Sequence, residues 1–365
     1  MNPDKEAKKA TGSVGITTTL RIQEMEAKSK MNSKILRLMA AAGITAMLLG
    51  TTVPAEETYF SELTGEPISI ELKDQRPVAV IVDNETIAYP HFGLGEADIV
   101  YELINSTKNG HITRLMALIK DWKTTGQTGN LRSVRPTNIL LAADYNAVLV
   151  HDGGPFYVDQ YFAKDYARDH LSGGFTRIDN GKPTEFTEYF VEGELEQRFA
   201  AAGISTNYTS YAQEKESHFR FAPEGSPAFL FGDPTPANTV RLPFEHTNST
   251  LKYNPATRTY DYYCYDKLHV DEEDGDVLTF KNVIIQECTY TLLDENGYMI
   301  YNCIDENLPG WYITNGEAVP ITWTKAGETN VTRYYAQDGT EIMVNRGKTY
   351  ITLVPDDKWD SLVIE

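Results

Sequence analysis

The 365-residue sequence predicts a protein of the α+β or α/β class: an N-terminal mixed-sheet α/β domain followed by a β-rich, sandwich- or barrel-like C-terminal domain. Up to about residue 223, apolar strand-like runs interleave with helix-like segments, which favours helices layered on a sheet. Beyond about residue 238, short alternating runs are separated by turns, a pattern typical of all-β domains. With 41% hydrophobic residues, the chain can fill a sizeable core.

The N-terminal α/β domain is predicted over residues 71–238 and opens with three strands. PVAVIVDN (77–84) is a β-branched apolar run, typical of a strand buried on both faces. DIVYELI (98–104) and HITRLMALIKD (111–121) are also strand-like. NSTKNG joins them and predicts a hairpin by its length and composition.

Two helices and a further strand follow. GNLRSVRPTN (129–138) leads into an apolar segment, and Pro136 suits the first turn of a helix because its missing N–H would be unpaired there. AVLVHDGG (147–154) predicts a buried strand that runs into a glycine turn. GELEQRFAAAG (193–203) predicts a helix that ends at its last glycine.

The β-rich domain is predicted over residues 239–365. Runs such as TYDYYCY, LTFKNVIIQECTY and KTYITLVP alternate with turns. The boundary is placed near residue 238 because prolines crowd the stretch before it.

The first 70 residues fall outside both domains. Residues 31–55 have a basic start, an apolar run of about 13 residues and a small residue at the end, as secretory signals do. A membrane span needs roughly 20 apolar residues, so export is favoured over anchoring. Residues 1–30 are interpreted as an upstream extension and 56–70 as a polar arm. The protein is expected outside the cytoplasm, secreted or at the cell envelope, and at the membrane only through an uncleaved signal.

The charge balance excludes one class of partner. The whole chain has a formal charge of −19, and residues 56–365 carry 25 basic and 48 acidic side chains, or −23. Nucleic-acid binding needs an excess of lysine and arginine on one surface, so no nucleic-acid partner is expected. An anion would have to be bound by a local cluster.

No metal or cofactor is expected from the motifs. Cys264, Cys288 and Cys303 lie far apart without metal-ligand spacing, and they are either reduced core thiols or include one disulfide. The phosphate-loop and dinucleotide motifs are both missing from the sequence, and Gly153-Gly154 is interpreted as a tight turn.

Several motifs together resemble the YerB-like lipoprotein family, a bacterial family of unknown function. They are RPVAVIVDN, ADIVYELI, HITRLMALIKD, LRSVRPTN and VLVHDGG, then DKLHVD, LTFKNVIIQE, GWYITNGEAVPITWTKAG and DGTEIMVNRGKTYITLVP. The resemblance covers roughly residues 70–356 and implies an envelope-facing protein with an α/β first part and a β-rich second part. It implies no reaction. Members are expected to carry a lipid-modified cysteine after the signal, whereas this chain has Ala55-Glu56, which argues against a lipid anchor.

The arginine loop is the first candidate site. Arg132 and Arg135 precede a predicted helix start, so two guanidinium groups and free backbone N–H groups could hold an anion together. The alternative is that both arginines pair with the protein's own carboxylates.

Strand ends supply further candidates. Asp83 and Asn84 end one buried strand, and His151 and Asp152 end another. If the two strands are parallel neighbours, these side chains converge near the arginine loop, where ligands usually bind. His151 is then a candidate general base oriented by Asp83, or a structural hydrogen-bonded residue.

Glu102 and Arg114 are polar residues inside apolar strands that the predicted hairpin connects. They are candidate ligand contacts, and the plainer expectation is a buried cross-strand ion pair.

Three functions remain open from the sequence. The first is a non-catalytic envelope module that binds a small anionic or glycan-derived ligand and contacts an envelope partner. The second is an envelope hydrolase that uses His151 as base. The third is a scaffold for a membrane or cell-wall protein complex.

Overall fold

The computed structural model describes residues 59–108, 110–209 and 217–365. The predicted upstream extension and signal segment lie outside the described residues. The chain from Thr58 to Glu365 forms one compact unit.

The first part of the described chain contains ten strands and three α-helices. The strands are β1 (Tyr59–Phe60), β2 (Pro67–Ile68), β3 (Val78–Asp83), β4 (Ile99–Ile104), β5 (Thr113–Ile119), β6 (Thr128–Gly129), β7 (Val148–His151), β8 (His170–Ser172), β9 (Thr176–Arg177) and β10 (Glu188–Phe190). The helices are α1 (Pro136–Ala142), α2 (Asp159–Phe162) and α3 (Glu194–Ala202).

The second part is built from strands. They are β11 (Thr235–Pro236), β12 (Thr239–Arg241), β13 (Thr250–Asn254), β14 (Thr259–Cys264), β15 (Lys267–Leu268), β16 (Thr279–Phe280), β17 (Asn282–Cys288), β18 (Tyr290–Leu292), β19 (Met299–Tyr301), β20 (Leu308–Thr314), β21 (Glu317–Thr324), β22 (Arg333–Ala336), β23 (Thr349–Pro355) and β24 (Val363–Ile364).

A mixed sheet of eleven described strands forms the centre of the molecule. Its order is β11-β21-β20-β17-β23-β4-β5-β3-β7-β8, with β22 attached to β21. β3 and β7 are parallel neighbours, whereas β4 and β5 form the predicted antiparallel hairpin pair. Every residue of β3, β4, β5 and β7 is buried, as expected for apolar strands covered on both faces.

Both predicted helices form where the sequence places them. α1 begins at Pro136, and α3 ends at Gly203, whose φ of +67° is a conformation that glycine adopts without strain. α3 packs through Phe199, whose ring stacks on Trp122 with 4.8 Å between centroids.

The two parts of the chain share the central sheet. β23, from the second part, lies between β17 and β4 and runs parallel to both. The predicted α+β class, with a mixed-sheet first part and a β-rich second part, is confirmed. The boundary near residue 238 remains a prediction.

A second sheet of six strands lies entirely in the β-rich part. Its order is β15-β14-β13-β12-β24, with β16 attached to β14. Buried and half-buried residues alternate along β14, the pattern of a strand with one face on the core. The three cysteines are buried free thiols. Across the described ranges, no helix is long and apolar enough to cross a membrane.

Candidate functional site

The arginine loop lies beside the ends of β3 and β7. Leu131 bridges to Val82 of β3, and the Arg132 N–H donates to the Ile81 carbonyl at 2.9 Å. The Asp152 N–H, just after β7, donates to the Arg132 carbonyl at 3.0 Å. The prediction that the loop adjoins these strand ends is confirmed.

Asp83 ties the arginine loop to the sheet. Its Oδ2 atom lies 2.6 Å from Arg132 Nε and 3.6 Å from Arg114 Nη2. Its Oδ1 atom accepts a hydrogen bond from the Glu85 N–H at 2.8 Å. Because the Asp83 side chain is only 1% exposed, this carboxylate is a buried anion shared by two guanidinium groups.

The expected Glu102–Arg114 pair is wrong. In the register of β4 and β5, Arg114 lies opposite Leu103, and Glu102 lies opposite Leu115. Neighbouring positions along a strand point to opposite faces of the sheet, so Glu102 and Arg114 are on different faces.

Glu102 instead anchors a buried polar network on the other face. Its carboxylate accepts hydrogen bonds from Asn84 Nδ2 (3.1 Å), Thr113 Oγ1 (2.7 Å), Thr247 Oγ1 (3.3 Å), Ser249 Oγ (2.7 Å), Tyr262 OH (2.9 Å) and Tyr350 OH (2.5 Å). Both Glu102 and Asn84 are fully buried. These two candidate ligand contacts therefore lie in the interior, where they join strands of the first and second parts.

The arginine face opens into a cleft of about 800 Å³. Its charged floor consists of Arg114, Arg132, Arg135 and Asp83. The other lining residues are Glu85, Ile87, Asn105, Ser106, Lys108, Ile112, Ser133, Glu185, Phe186, Glu295, Asn296 and Tyr298. A volume of this size accommodates a small organic ligand.

Two hairpin loops build one wall of the cleft. The Thr107 N–H donates to the Gly297 carbonyl, and Ser106 Oγ donates to the Asn296 carbonyl, both at 2.9 Å. A Cβ atom at Gly297 would lie 2.6 Å from Thr107 Oγ1, so this close approach requires glycine. The loop between β18 and β19 thereby brings Tyr298 to the arginines.

Aromatic rings support two of the guanidinium groups. Arg135 lies over the Tyr298 ring at 4.4 Å, and Arg132 lies over the Phe186 ring at 5.0 Å. Stacking holds a guanidinium group flat and leaves the N–H groups at its edge to bind an anion.

Arg114 and Arg135 are two buried cations that lie close to each other. Nη1 of both residues donates to the Ser133 carbonyl, at 2.8 and 3.2 Å, and both Nε atoms are buried without a hydrogen-bond partner among the described residues. Burial, followed by the charge of Arg114, lowers the pKa of Arg135 to about 9. Burial also lowers the pKa of Arg114, against the effect of Asp83. A bound anion would relieve this repulsion.

His151 does not contact Asp83. Its Nδ1 atom lies 2.8 Å from the Gly153 carbonyl, and its Nε2 atom lies 3.0 Å from His170 Nδ1. Since a carbonyl only accepts, His151 Nδ1 donates and Nε2 accepts from His170. The proposed pairing of a His151 base with Asp83 as its orienter is therefore wrong, because both ring nitrogens and the carboxylate have other partners.

Asp152 also points away from the arginines of the cleft. Its Oδ2 atom lies 3.5 Å from Arg177 Nη2, and the same nitrogen lies 2.5 Å from Glu188 Oε2. Of the eight candidate site residues, the structure brings Asp83, Arg114, Arg132 and Arg135 together. It places His151 and Asp152 in a neighbouring cluster with His170 and Arg177.

Comparison with known proteins assigns the chain to a family. The family model described as "Protein of unknown function (DUF3048) N-terminal domain" matches residues 63–205, and the corresponding C-terminal domain model matches residues 240–351. The chain belongs to the DUF3048 family. The resemblance to the YerB-like family is thereby confirmed.

A relative and a solved structure support this assignment. The protein named "Putative lipoprotein YerB" of Bacillus subtilis (strain 168) is 26% identical over 309 residues, which cover 80% of this chain and 86% of the relative. The crystal structure of YerB protein from Bacillus subtilis matches with a TM-score of 0.69 and 22% identity, over 84% of this chain and 99% of that one. The structural match shows that the two share a fold.

The cleft uses residues from both DUF3048 domains. Asp83 and the three arginines lie in the N-terminal domain, and Glu295, Asn296 and Tyr298 lie in the C-terminal domain. Sequence reasoning missed the C-terminal wall, because a turn such as DENGY carries no signal of its distant partner. It also missed His170, whose role depends on the pairing of β7 with β8.

Proposed function

We propose that this chain is an extracytoplasmic cell-envelope module that binds a small anionic ligand in the arginine cleft. The observation that carries the proposal is the environment of Arg135, a buried cation whose side chain is bonded to backbone carbonyls. This residue is 7% exposed and lines the open cleft. Over the described part of the chain, its hydrogen bonds go to the carbonyls of Ser133 and Val134, and no carboxylate forms an ion pair with it.

An unpaired buried cation is unfavourable by several kcal/mol, on the order of the penalty for breaking a buried ion pair. Each charge-assisted hydrogen bond to an anion would return about 1.5–3 kcal/mol. Arg114 and Arg132 share the Asp83 carboxylate. Arg132 Nη1 also lies 3.3 Å from Glu185 Oε2, which leaves Arg132 Nη2 without a carboxylate among the described residues and available to the anion. The acidic remainder of the chain does not oppose this, because exposed charges are screened beyond about 10 Å at ordinary salt.

The proposed location depends on two observations outside the cleft. Residues 31–55 have the pattern of a secretory signal. The Bacillus subtilis relative is named as a lipoprotein, which is a class of envelope protein.

Thermal unfolding of the full chain with sodium phosphate or sodium sulfate tests the binding proposal. Sodium chloride at equal ionic strength is the reference. An anion present at 100 times its Kd stabilises the folded state by about 2.7 kcal/mol, so Tm should rise by several degrees. Arg135→Gln should lose this rise. Arg168→Gln should keep it, because that side chain is 72% exposed and lies outside the cleft.

Two outcomes would contradict the proposal. One is an unchanged Tm of the unmodified chain in both anions. The other is an equal rise in the chain and in Arg135→Gln. If Arg135→Gln fails to fold, Arg132→Gln replaces it. The Arg132 side chain is 21% exposed, so its removal should destabilise the fold less than removal of Arg135.

A further inference from the structure

The charges on the floor of the cleft do not balance. Arg114, Arg132 and Arg135 contribute three positive charges, and Asp83 contributes one negative charge. The other charged lining residues stand at the rim. Glu185 is 59% exposed and lies 3.3 Å from Arg132 Nη1, Glu85 pairs with His246, and Glu295 and Lys108 are exposed. Water screens rim charges far more than buried ones. The buried floor therefore has a formal charge of +2.

The three positive charges meet at nearly one point. Arg114 and Arg132 both approach Asp83 Oδ2, at 3.6 and 2.6 Å. Arg114 and Arg135 both donate to the Ser133 carbonyl. A ligand that balances this floor must place two negative charges in one compact group, since two separated carboxylates could not both reach it.

We infer that the cleft binds the dianionic form of a phosphate monoester. This inference rests on the proposed anion-binding function and names its ligand class. A phosphate monoester carries close to two negative charges at pH 7 and offers three acceptor oxygens to the guanidinium forks. A carboxylate or a sulfate monoester brings one charge and leaves a buried positive charge unbalanced.

The size of the cleft indicates that an organic group accompanies the phosphate. The volume of about 800 Å³ is much larger than one phosphate group. The Tyr298 and Phe186 rings and the polar side chains of Asn105, Ser106 and Asn296 line the remaining space. The alcohol part of the ester contacts this mixed surface.

Titration calorimetry of the full chain with phenyl phosphate and phenyl sulfate tests the inference. The two probes share a shape, but phenyl sulfate stays a monoanion, while phenyl phosphate gains its second charge near pH 6. From pH 5 to pH 7.5, the affinity for phenyl phosphate should rise about tenfold relative to phenyl sulfate, a difference of about 1.4 kcal/mol.

The ratio of the two affinities is the readout, because it removes the effects of pH that act on the shared phenyl group and on the stability of the fold. Besides the three arginines, the titratable groups that line the cleft are Asp83, Glu85, Lys108, Glu185, Glu295 and Tyr298, with His246 acting through Glu85. Deprotonation of these groups as the pH rises makes the cleft more negative and weakens binding of the dianion more than that of the monoanion. Titration of the protein therefore opposes the expected rise in the ratio and cannot produce it. Arg132→Gln lowers the floor charge to +1 and should reduce the preference for phenyl phosphate. Arg168→Gln should leave the preference intact.

The outcomes separate this inference from the proposed function. If neither ester binds, the proposed function is wrong. If both bind equally, with a ratio that does not change with pH, anion binding stands and the dianion inference is wrong. If Arg132→Gln keeps the full pH-dependent preference, the floor charge is not its cause and the inference is wrong.

The monoester could be soluble or could be the headgroup of a lipid, and vesicles distinguish the two. Phosphatidic acid presents a phosphate monoester, whereas phosphatidylglycerol presents a monoanionic diester. Sedimentation with phosphatidylcholine vesicles that contain phosphatidic acid, but not phosphatidylglycerol, would indicate a lipid monoester. Binding of phenyl phosphate without sedimentation would indicate a soluble one. Equal sedimentation with both anionic lipids would contradict selection of a dianion.

Discussion

Asp83 and Arg114 are direct cross-strand partners: they occupy opposite positions on β3 and β5, with 3.6 Å between Asp83 Oδ2 and Arg114 Nη2. Arg132 reaches the same oxygen from the arginine loop. The pair therefore fixes the loop to the sheet and sets the geometry of the cleft.

Asp83→Asn should destabilise the fold by about 3–5 kcal/mol, because it leaves buried guanidinium groups without their shared carboxylate. Urea unfolding at pH 7 measures this, and added phosphate should recover part of the loss. Asp165→Asn is the matched control, since that carboxylate is 98% exposed and its removal should change stability little. A stable Asp83→Asn variant would show that the arginines do not depend on this carboxylate.

Glu102→Gln should destabilise the protein without changing anion binding. The amide replaces one carboxylate oxygen with a donor and leaves at least one buried donor unsatisfied, at about 1–3 kcal/mol each. Urea unfolding should show the loss, while the affinity for phenyl phosphate should stay the same because Glu102 faces away from the cleft. Glu196→Gln, on the exposed side of α3, is the control. A large loss of affinity in Glu102→Gln would mean that the network and the cleft are coupled.

The folded state should lose stability as the pH falls from about 6.5 to 4. Burial lowers the pKa of His151 from its ordinary value of 6.5 to about 4, and burial lowers the pKa of His269 to about 4 as well. A lowered histidine pKa means that the folded state binds its proton less readily than the unfolded state. The stabilisation is complete above pH 6.5 and is lost on acidification, by roughly 3 kcal/mol per histidine.

Denaturant unfolding at several pH values measures this slope. His151→Gln should reduce the slope between pH 6.5 and 4 and leave the part due to His269, because glutamine does not titrate. An unchanged slope would indicate that other groups dominate the acid response.

The native protein should resist thiol alkylation. Burial raises the pKa of Cys264 and of Cys303 to about 12 and raises the pKa of Cys288 as well, so the reactive thiolate is scarce. Mass spectrometry should find no iodoacetamide adducts on the folded chain and three after unfolding. Two missing adducts after unfolding without reductant would reveal a disulfide.

Most of the fold could be predicted from the apolar runs in the sequence. PVAVIVDN and AVLVHDGG predicted buried strands that prove to be parallel neighbours, and Pro136 marked the start of α1. These signals are local: a β-branched run and a proline act within one element. The arginine loop could be found for the same reason, because Arg132 and Arg135 lie within one short segment of the chain.

Register and long-range pairing could not be predicted in this way. Glu102 and Arg114 looked like partners because a hairpin joins their strands, yet a shift of one position puts them on opposite faces. Tyr298 reaches the arginines through a contact between two hairpin loops far apart in sequence. Nothing in either loop alone specifies that contact.

The insertion of β23 between β4 and β17 has a consequence for how the chain acquires its structure. Until residues 349–355 have been synthesised, both neighbouring strands present unpaired backbone edges, which are templates for aggregation. A polypeptide that stops after the first family domain exposes the edge of β4. The central sheet can therefore form completely only after both family domains have been synthesised. The N-terminal domain cannot complete this sheet while the C-terminal domain is still on the ribosome.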